Sequence, residues 1–91
     1  MTNLTSDSAG AATPPEAERV LDASGLTCPL PVLRAQRVLK EMQAGEVLLL
    51  RSTDSISQDE VPLFCKQAGH KLLHREHADG IWQFWIRRKD G

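Results

Sequence analysis

The stretch Gly25-Leu26-Thr27-Cys28-Pro29-Leu30-Pro31 constrains the chain more than any other. It joins a short apolar run to the start of a strongly amphipathic segment. Proline pre-sets the dihedral of a first helical residue, where its missing N–H would have had no partner anyway. Pro29 is therefore expected at the first helical position and Cys28 at the N-cap. The residue before a proline is pushed towards extended dihedrals, which suits an N-cap. Pro31 removes a further donor from the first turn. That leaves Leu30 N–H as the main donor aimed at Cys28. Leu30 also precedes a proline and is biased against helical dihedrals, so a stiff, distorted first turn is expected.

This placement has a chemical consequence. A helix N-terminus favours an anion, and a thiol there has a lowered pKa and is partly thiolate near neutral pH. The bland alternative is an ordinary buried cysteine, which a position between glycine and proline in a loop disfavours. Position 31 is proline rather than cysteine, so there is no C-x-x-C dithiol and no nearby resolving thiol.

Around this stretch the hydrophobic pattern alternates between two periods. Arg19 to Ala23 reads as a short strand, broken by Ser24-Gly25. From Pro29, the residues Val32, Ala35, Val38, Leu39 and Met42 recur at helical spacing, with Arg34, Arg37 and Lys40 opposite. Gly45 is the expected stop. Glu46 to Ser52 reads as a second strand. Its unbroken run Val47 to Leu50 fits a central position covered on at least part of both faces. After Thr53-Asp54-Ser55, Ser57 and Glu60 have capping-box spacing, and Ile56 with Val61 has staple spacing. The second helical stripe runs through Phe64, Cys65 and Ala68 to Gly69. Pro62 interrupts it, predicting a kink or a later start. His70 to His77 and Ile81 to Arg88 read as a hairpin across Asp79-Gly80. Trp82, Phe84 and Ile86 share one face of the last strand, and Gln83 and Trp85 the other.

The element order is strand, helix, strand, helix, strand, strand. Right-handed crossovers put both helices on one face of a four-stranded mixed sheet. The expected fold is an α/β two-layer sandwich, βαβαββ. No internal repeat is visible. Ninety-one residues allow one domain. Residues 1–18 lack apolar periodicity and are expected to be a disordered tail, leaving 19–91 as the folded domain. The tail has no basic n-region followed by an apolar run, so no secretory signal is expected. No apolar run reaches the roughly 20 residues of a membrane span. Two cysteines do not make a secreted disulfide scaffold, and a cytoplasmic protein is expected. Residues 19–91 hold 11 basic against nine acidic residues, too even for a nucleic-acid partner.

The motif Leu21-Asp22-Ala23-x-Gly25-Leu26-x-Cys28-Pro29-x-Pro31 resembles the TusA-like (SirA-like) family of small sulfur carriers. Gly45-Glu46, Thr53-Asp54, Gly69-His70 and Phe84-x-Ile86-x-Arg88 extend the resemblance over Val20 to Lys89. It implies the same sandwich. It also implies that Cys28 carries sulfur as a persulfide, with Gly25, Pro29, Pro31 and Asp54 as the supporting motif. The implied activity is that of a carrier-type sulfurtransferase that needs a separate donor enzyme. That donor would be a cysteine desulfurase or a rhodanese-like protein. Acceptor proteins would serve tRNA thiolation, molybdenum cofactor assembly or sulfur oxidation. Ser55 stands where many members have proline, and Glu60 where aspartate is common; both differences bear on partner choice.

A persulfide carrier needs an exposed nucleophilic thiolate and no dedicated base, by the logic of thiol–disulfide exchange. No histidine or carboxylate is evidently dedicated to Cys28. Asp22 and Asp54 either share its rim or simply cap turns. Cys65 lies on an apolar stripe, where a free cysteine is a small buried hydrophobe; a relay with Cys28 is the sharper alternative. Cys28, Cys65, His70 and His74 invite a zinc reading. On a strand, however, His70 and His74 stand ~13 Å apart at ~3.3 Å per residue, too far to share one metal. No cofactor and no metal are expected. Arg34, Arg37 and Lys40 are either a solvated face or a docking surface for an acidic partner. Leu49 and Trp85 are expected on the sheet face away from the helices, as an interaction patch or as scattered apolar residues. The alternative function, from another class, is a non-catalytic redox-sensing or regulatory binding module.

Overall fold

The structure, a computed structural model, describes residues 14–90. Its elements follow in the expected order: β1 (Arg19–Ala23), α1 (Leu30–Glu41), β2 (Val47–Ser52), α2 (Ser57–Ala68), β3 (Lys71–Ala78) and β4 (Ile81–Arg87). The sheet order is β1-β2-β4-β3. β1 runs parallel to β2, β2 antiparallel to β4, and β4 antiparallel to β3. The two crossover helices cover one face. The apolar run of β2 places it centrally, between β1 and β4. The Asp79-Gly80 turn forms as expected, both residues at positive φ (54° and 77°). Positive φ at both central residues matches the right-handed twist of the paired strands.

The core lies between sheet and helices. Ala35 and Leu39 of α1 and Val61 and Cys65 of α2 pack on Ala23, Leu48, Leu50, Phe84 and Ile86. Trp82 joins this side, as its spacing with Phe84 and Ile86 predicts. On the opposite face Leu49 pairs directly with Trp85. Trp85 is only 5% exposed there, and His74 meets its ring edge-on at 5.1 Å. Trp85 is thus not available as the exposed patch that its position suggested.

Residues 1–13 of the expected tail lie outside the described residues. Glu18, at its end, is tied into the sheet. Its N–H donates to the Val47 carbonyl at 2.9 Å, and its carboxylate accepts from Val47 N–H at 2.6 Å.

Several local expectations give way to other bonds. α1 begins at Leu30, with Pro29 rather than Cys28 at the N-cap and no side-chain capping bond. It ends at Glu41 with extended Met42 as its C-cap, so Gly45 serves the turn into β2 instead. The last turn of α1 is closed from elsewhere: Arg88 Nε donates to the Leu39 carbonyl at 2.8 Å, an arrangement favourable to the helix dipole.

The capping box of α2 does not form. Ile56 is the N-cap and makes no side-chain capping bond. Ser57 is buried and pairs with the Ser52 hydroxyl at 2.7 Å instead. Pro62 sits inside a continuous α2. The carbonyl it leaves without an amide, four residues earlier at Gln58, accepts from Arg75 Nη1 at 3.4 Å. An external donor of this kind lowers the cost of a proline in a helix. Gly69 ends α2 in the left-handed region, as expected. No described helix is long and apolar enough to cross a membrane.

Candidate functional site

Cys28 lies in the connection between β1 and α1, and its side chain is exposed. The Cys28–Pro29 peptide is cis. The expectation that Leu30 N–H points at Cys28 is corrected: that amide donates to the Thr27 carbonyl at 2.9 Å. The first i to i−4 bond of α1 runs from Leu33 N–H to the Pro29 carbonyl at 3.1 Å. Pro29 and Pro31 have no N–H to offer, so the helix start is poor in donors near the sulfur. Pro31 is instead buried, anchoring the first turn of α1 in the core.

What holds the cysteine loop comes from the next connection, between β2 and α2. Cys28 N–H donates to Asp54 Oδ2 at 2.6 Å. Gly25 N–H donates to the Thr53 hydroxyl at 2.8 Å. Gly25 sits at φ +83°, a conformation that favours glycine. The other oxygen of Asp54, Oδ1, accepts from Ile56 N–H at 3.0 Å, and the Asp54 carbonyl accepts from Ser57 N–H at 3.0 Å. Asp54 therefore closes the approach to α2, the role that capping-box spacing assigned to Ser57.

The two aspartates separate clearly. Asp22 accepts from Ser24 N–H at 2.9 Å and stays within its own turn. The hydroxyl and amide of Ser24 hold its carboxyl below the usual range. Asp54 caps a turn and reaches Cys28 as well. Thr53 joins the site too. The sequence named it only as the neighbour of Asp54, and nothing in local spacing reveals a partner 28 residues away.

Cys65 has the opposite surroundings. It is 3% exposed within the core, and burial pushes its thiol up to about 11. Of the two thiols, Cys28 alone is open to a protein partner. Both cysteines are free.

Cys28 is followed by an exposed face of α1. Leu30 and Leu33 are 41% and 51% exposed. They line shallow grooves with Arg34, Arg37 and Lys40, all exposed. The basic stripe is thus interleaved with apolar side chains. Ile56, whose amide shares the Asp54 carboxylate with Cys28, is 49% exposed.

His70 and His74 hold separate places. His70 Nδ1 accepts from Lys89 N–H at 3.0 Å, whereas His74 Nε2 lies 3.0 Å from Glu76.

Comparison with known proteins agrees with this architecture. The family described as Sulfurtransferase TusA matches residues 19–88. The sulfur carrier protein TusA of Pseudomonas entomophila is 39% identical over 72 residues, covering 79% of this chain and 90% of that protein. Its counterpart in Pseudomonas putida strain GB-1 is 38% identical over the same length and coverage. The crystal structure of a SirA-like protein from Desulfitobacterium hafniense superposes with a TM-score of 0.70 at 27% identity. That match covers 79% of this chain and 99% of the other. Since the family match runs from the first residue of β1 to just beyond β4, the chain belongs to the TusA sulfurtransferase family.

Proposed function

We propose that this protein is a sulfur carrier that holds sulfane sulfur as a persulfide on Cys28. The observation that carries the reading is the contrast between its two thiols. Cys28 is exposed on a held loop, and Cys65 is buried with its ionisation suppressed. Family membership supports sulfur transfer as the chemistry.

The transfer step balances without an outside oxidant. The Cys28 thiolate attacks the outer sulfur of a donor persulfide. The S–S bond of the donor breaks, and the donor thiolate leaves with the bonding electron pair and takes up a proton. Cys28 then bears the outer sulfur and presents it to an acceptor thiolate in the same manner. A cysteine desulfurase or a rhodanese-like protein fits as donor. Acceptors in tRNA thiolation, molybdenum cofactor assembly or sulfur oxidation fit the family. The setting is the cytoplasm.

Arg34, Arg37 and Lys40, with Leu30 and Leu33 between them, form the docking surface in this reading. Their charge suits a partner with an acidic rim, and the leucines supply apolar contact beside the reactive end.

The test is incubation with a cysteine desulfurase and cysteine, followed by intact mass measurement without reductant. One added sulfur on Cys28 supports the carrier. A protein that gains no sulfur there but oxidises with peroxide would instead be a redox-sensing module.

A further inference from the structure

The geometry points to Thr53 and Asp54 as positioning residues for Cys28: together they form a two-point latch that holds the cysteine loop ready for transfer. The role in transfer rests on the carrier reading above.

The start of α1 supplies no side-chain cap, and two of its first residues are prolines. Strand pairing ends at Ala23. The segment from Ser24 to Pro29 is exposed apart from a half-buried Leu26. Left to itself, such a segment samples many conformations, and each encounter with a partner would have to order it again.

Two bonds from one neighbouring connection restrain it. Thr53 Oγ1 takes the Gly25 amide at 2.8 Å, and Asp54 Oδ2 takes the Cys28 amide at 2.6 Å. They grip the loop on both sides of Leu26 and Thr27. The second is a charge-assisted bond, shorter and stronger than a neutral one.

The latch is itself anchored. Asp54 N–H donates to the Ser52 hydroxyl at 3.1 Å. Ser52 and Ser57 are the buried polar pair of the core, and their hydroxyls lie 2.7 Å apart. Asp54 Oδ1 is committed to Ile56 N–H. The carboxylate thus serves two amides from two loops with its two oxygens. An asparagine puts an NH2 donor at one of those two positions, so one of the two amides loses its acceptor.

A carrier presents one sulfur to at least two different proteins, and a fixed loop avoids the ordering cost at each encounter. Asp54 also couples the loop to the start of α2, since it holds Cys28 and Ile56 together.

The test compares Asp54→Asn and Thr53→Val with the wild type, with Thr53→Ser as the conservative control. Three readouts are taken: backbone amide exchange by NMR, sulfur loading by a cysteine desulfurase with cysteine, and alkylation by iodoacetamide. In Asp54→Asn, exchange at Cys28 should accelerate roughly tenfold or more. Exchange at Leu48 and Phe84 in the core should stay as in the wild type. Loading should fall roughly tenfold in kcat/KM, while alkylation by the small reagent stays within about twofold, because it needs no presentation to a protein. Thr53→Val should loosen Gly25 in the same way, and Thr53→Ser should behave as wild type.

Unchanged Cys28 exchange and loading in a folded Asp54→Asn would overturn the proposal. So would acceleration spread equally over the core amides, which would make Asp54 merely stabilising. If Asp54→Asn fails to fold, Thr53→Val carries the same test at Gly25. A wild type that accepts no sulfur would overturn the carrier reading instead, and amide exchange would still decide whether the latch exists.

Discussion

The buried thiol of Cys65 makes stability depend on pH in a way that one substitution isolates. Burial raises its pKa from 9.0 to about 11. The group is an acid, so the fold favours its neutral form. Its contribution is fully present below pH 9, where both folded and unfolded chains hold the proton. Above pH 9 the unfolded chain loses that proton first, and stability falls as pH rises towards 11. At pH 10 the loss amounts to about 1.4 kcal/mol, because one proton bound by the folded chain alone is worth about 1.4 kcal/mol for each pH unit above 9. Cys65→Ala removes this titration and leaves a small cavity, costing on the order of 1 kcal/mol at neutral pH. The gap between wild type and variant should therefore be widest near pH 7 and close, or slightly invert, by pH 10. Urea unfolding at pH 7, 9 and 10 under reducing conditions measures it, since other titrating groups contribute equally to both proteins. A gap that stays constant from pH 7 to pH 10 would refute the placement of Cys65 in a dry core.

Cys28→Ser should fold with stability within about 0.5 kcal/mol of wild type, because the exposed thiol makes no capping bond; thermal unfolding checks this. Iodoacetamide at neutral pH should label Cys28 in the native protein and reach Cys65 only on unfolding, and peptide mapping with comparable labelling of both would oppose it. Charge reversal at Arg34 and Arg37 should slow sulfur loading by a desulfurase. Added salt should slow the wild type likewise, since exposed charges are screened within ~8 Å at physiological ionic strength. Burial first, and then Lys89 and Arg88, lower His70 from its ordinary 6.5, so the fold favours the neutral ring. Stability from this site is present above pH 6.5 and is lost as pH falls through the folded value, because protonated Nδ1 no longer accepts from Lys89 N–H. His70→Gln should flatten that acid limb in unfolding measured between pH 7 and 5.

The elements were legible where local chemistry and burial agree. The four-residue apolar run of β2 did place it centrally, and Asp79-Gly80 did form the hairpin turn. The stripe Ala35, Leu39, Val61 and Cys65 did become the helix side of the core. Local rules failed where another hydrogen-bonding partner outcompeted the expected one. Ser57 has the spacing of a capping residue, but Ser52 lies 2.7 Å away in the core and takes its hydroxyl. Pro62 reads as a break, yet Arg75 from β3 answers the carbonyl it leaves. The start of α1 moved one residue because Leu30 N–H found Thr27, leaving Cys28 outside the helix. The exposure of Cys28 was legible from its place between glycine and proline, but what holds it was not. The bond to Asp54 spans 26 residues and exists only once β1 and β2 pair in register, Ala23 against Ser52.

The measurement that bears most directly on the carrier function loads wild type, Cys28→Ser and Cys65→Ala with labelled sulfur from a cysteine desulfurase, then chases the label onto an acceptor thiol. A single-thiol carrier predicts no label on Cys28→Ser, since oxygen cannot hold a persulfide, and full loading and onward transfer from Cys65→Ala. Label on Cys28→Ser, or a folded Cys65→Ala that loads but fails to pass its sulfur on, would contradict it.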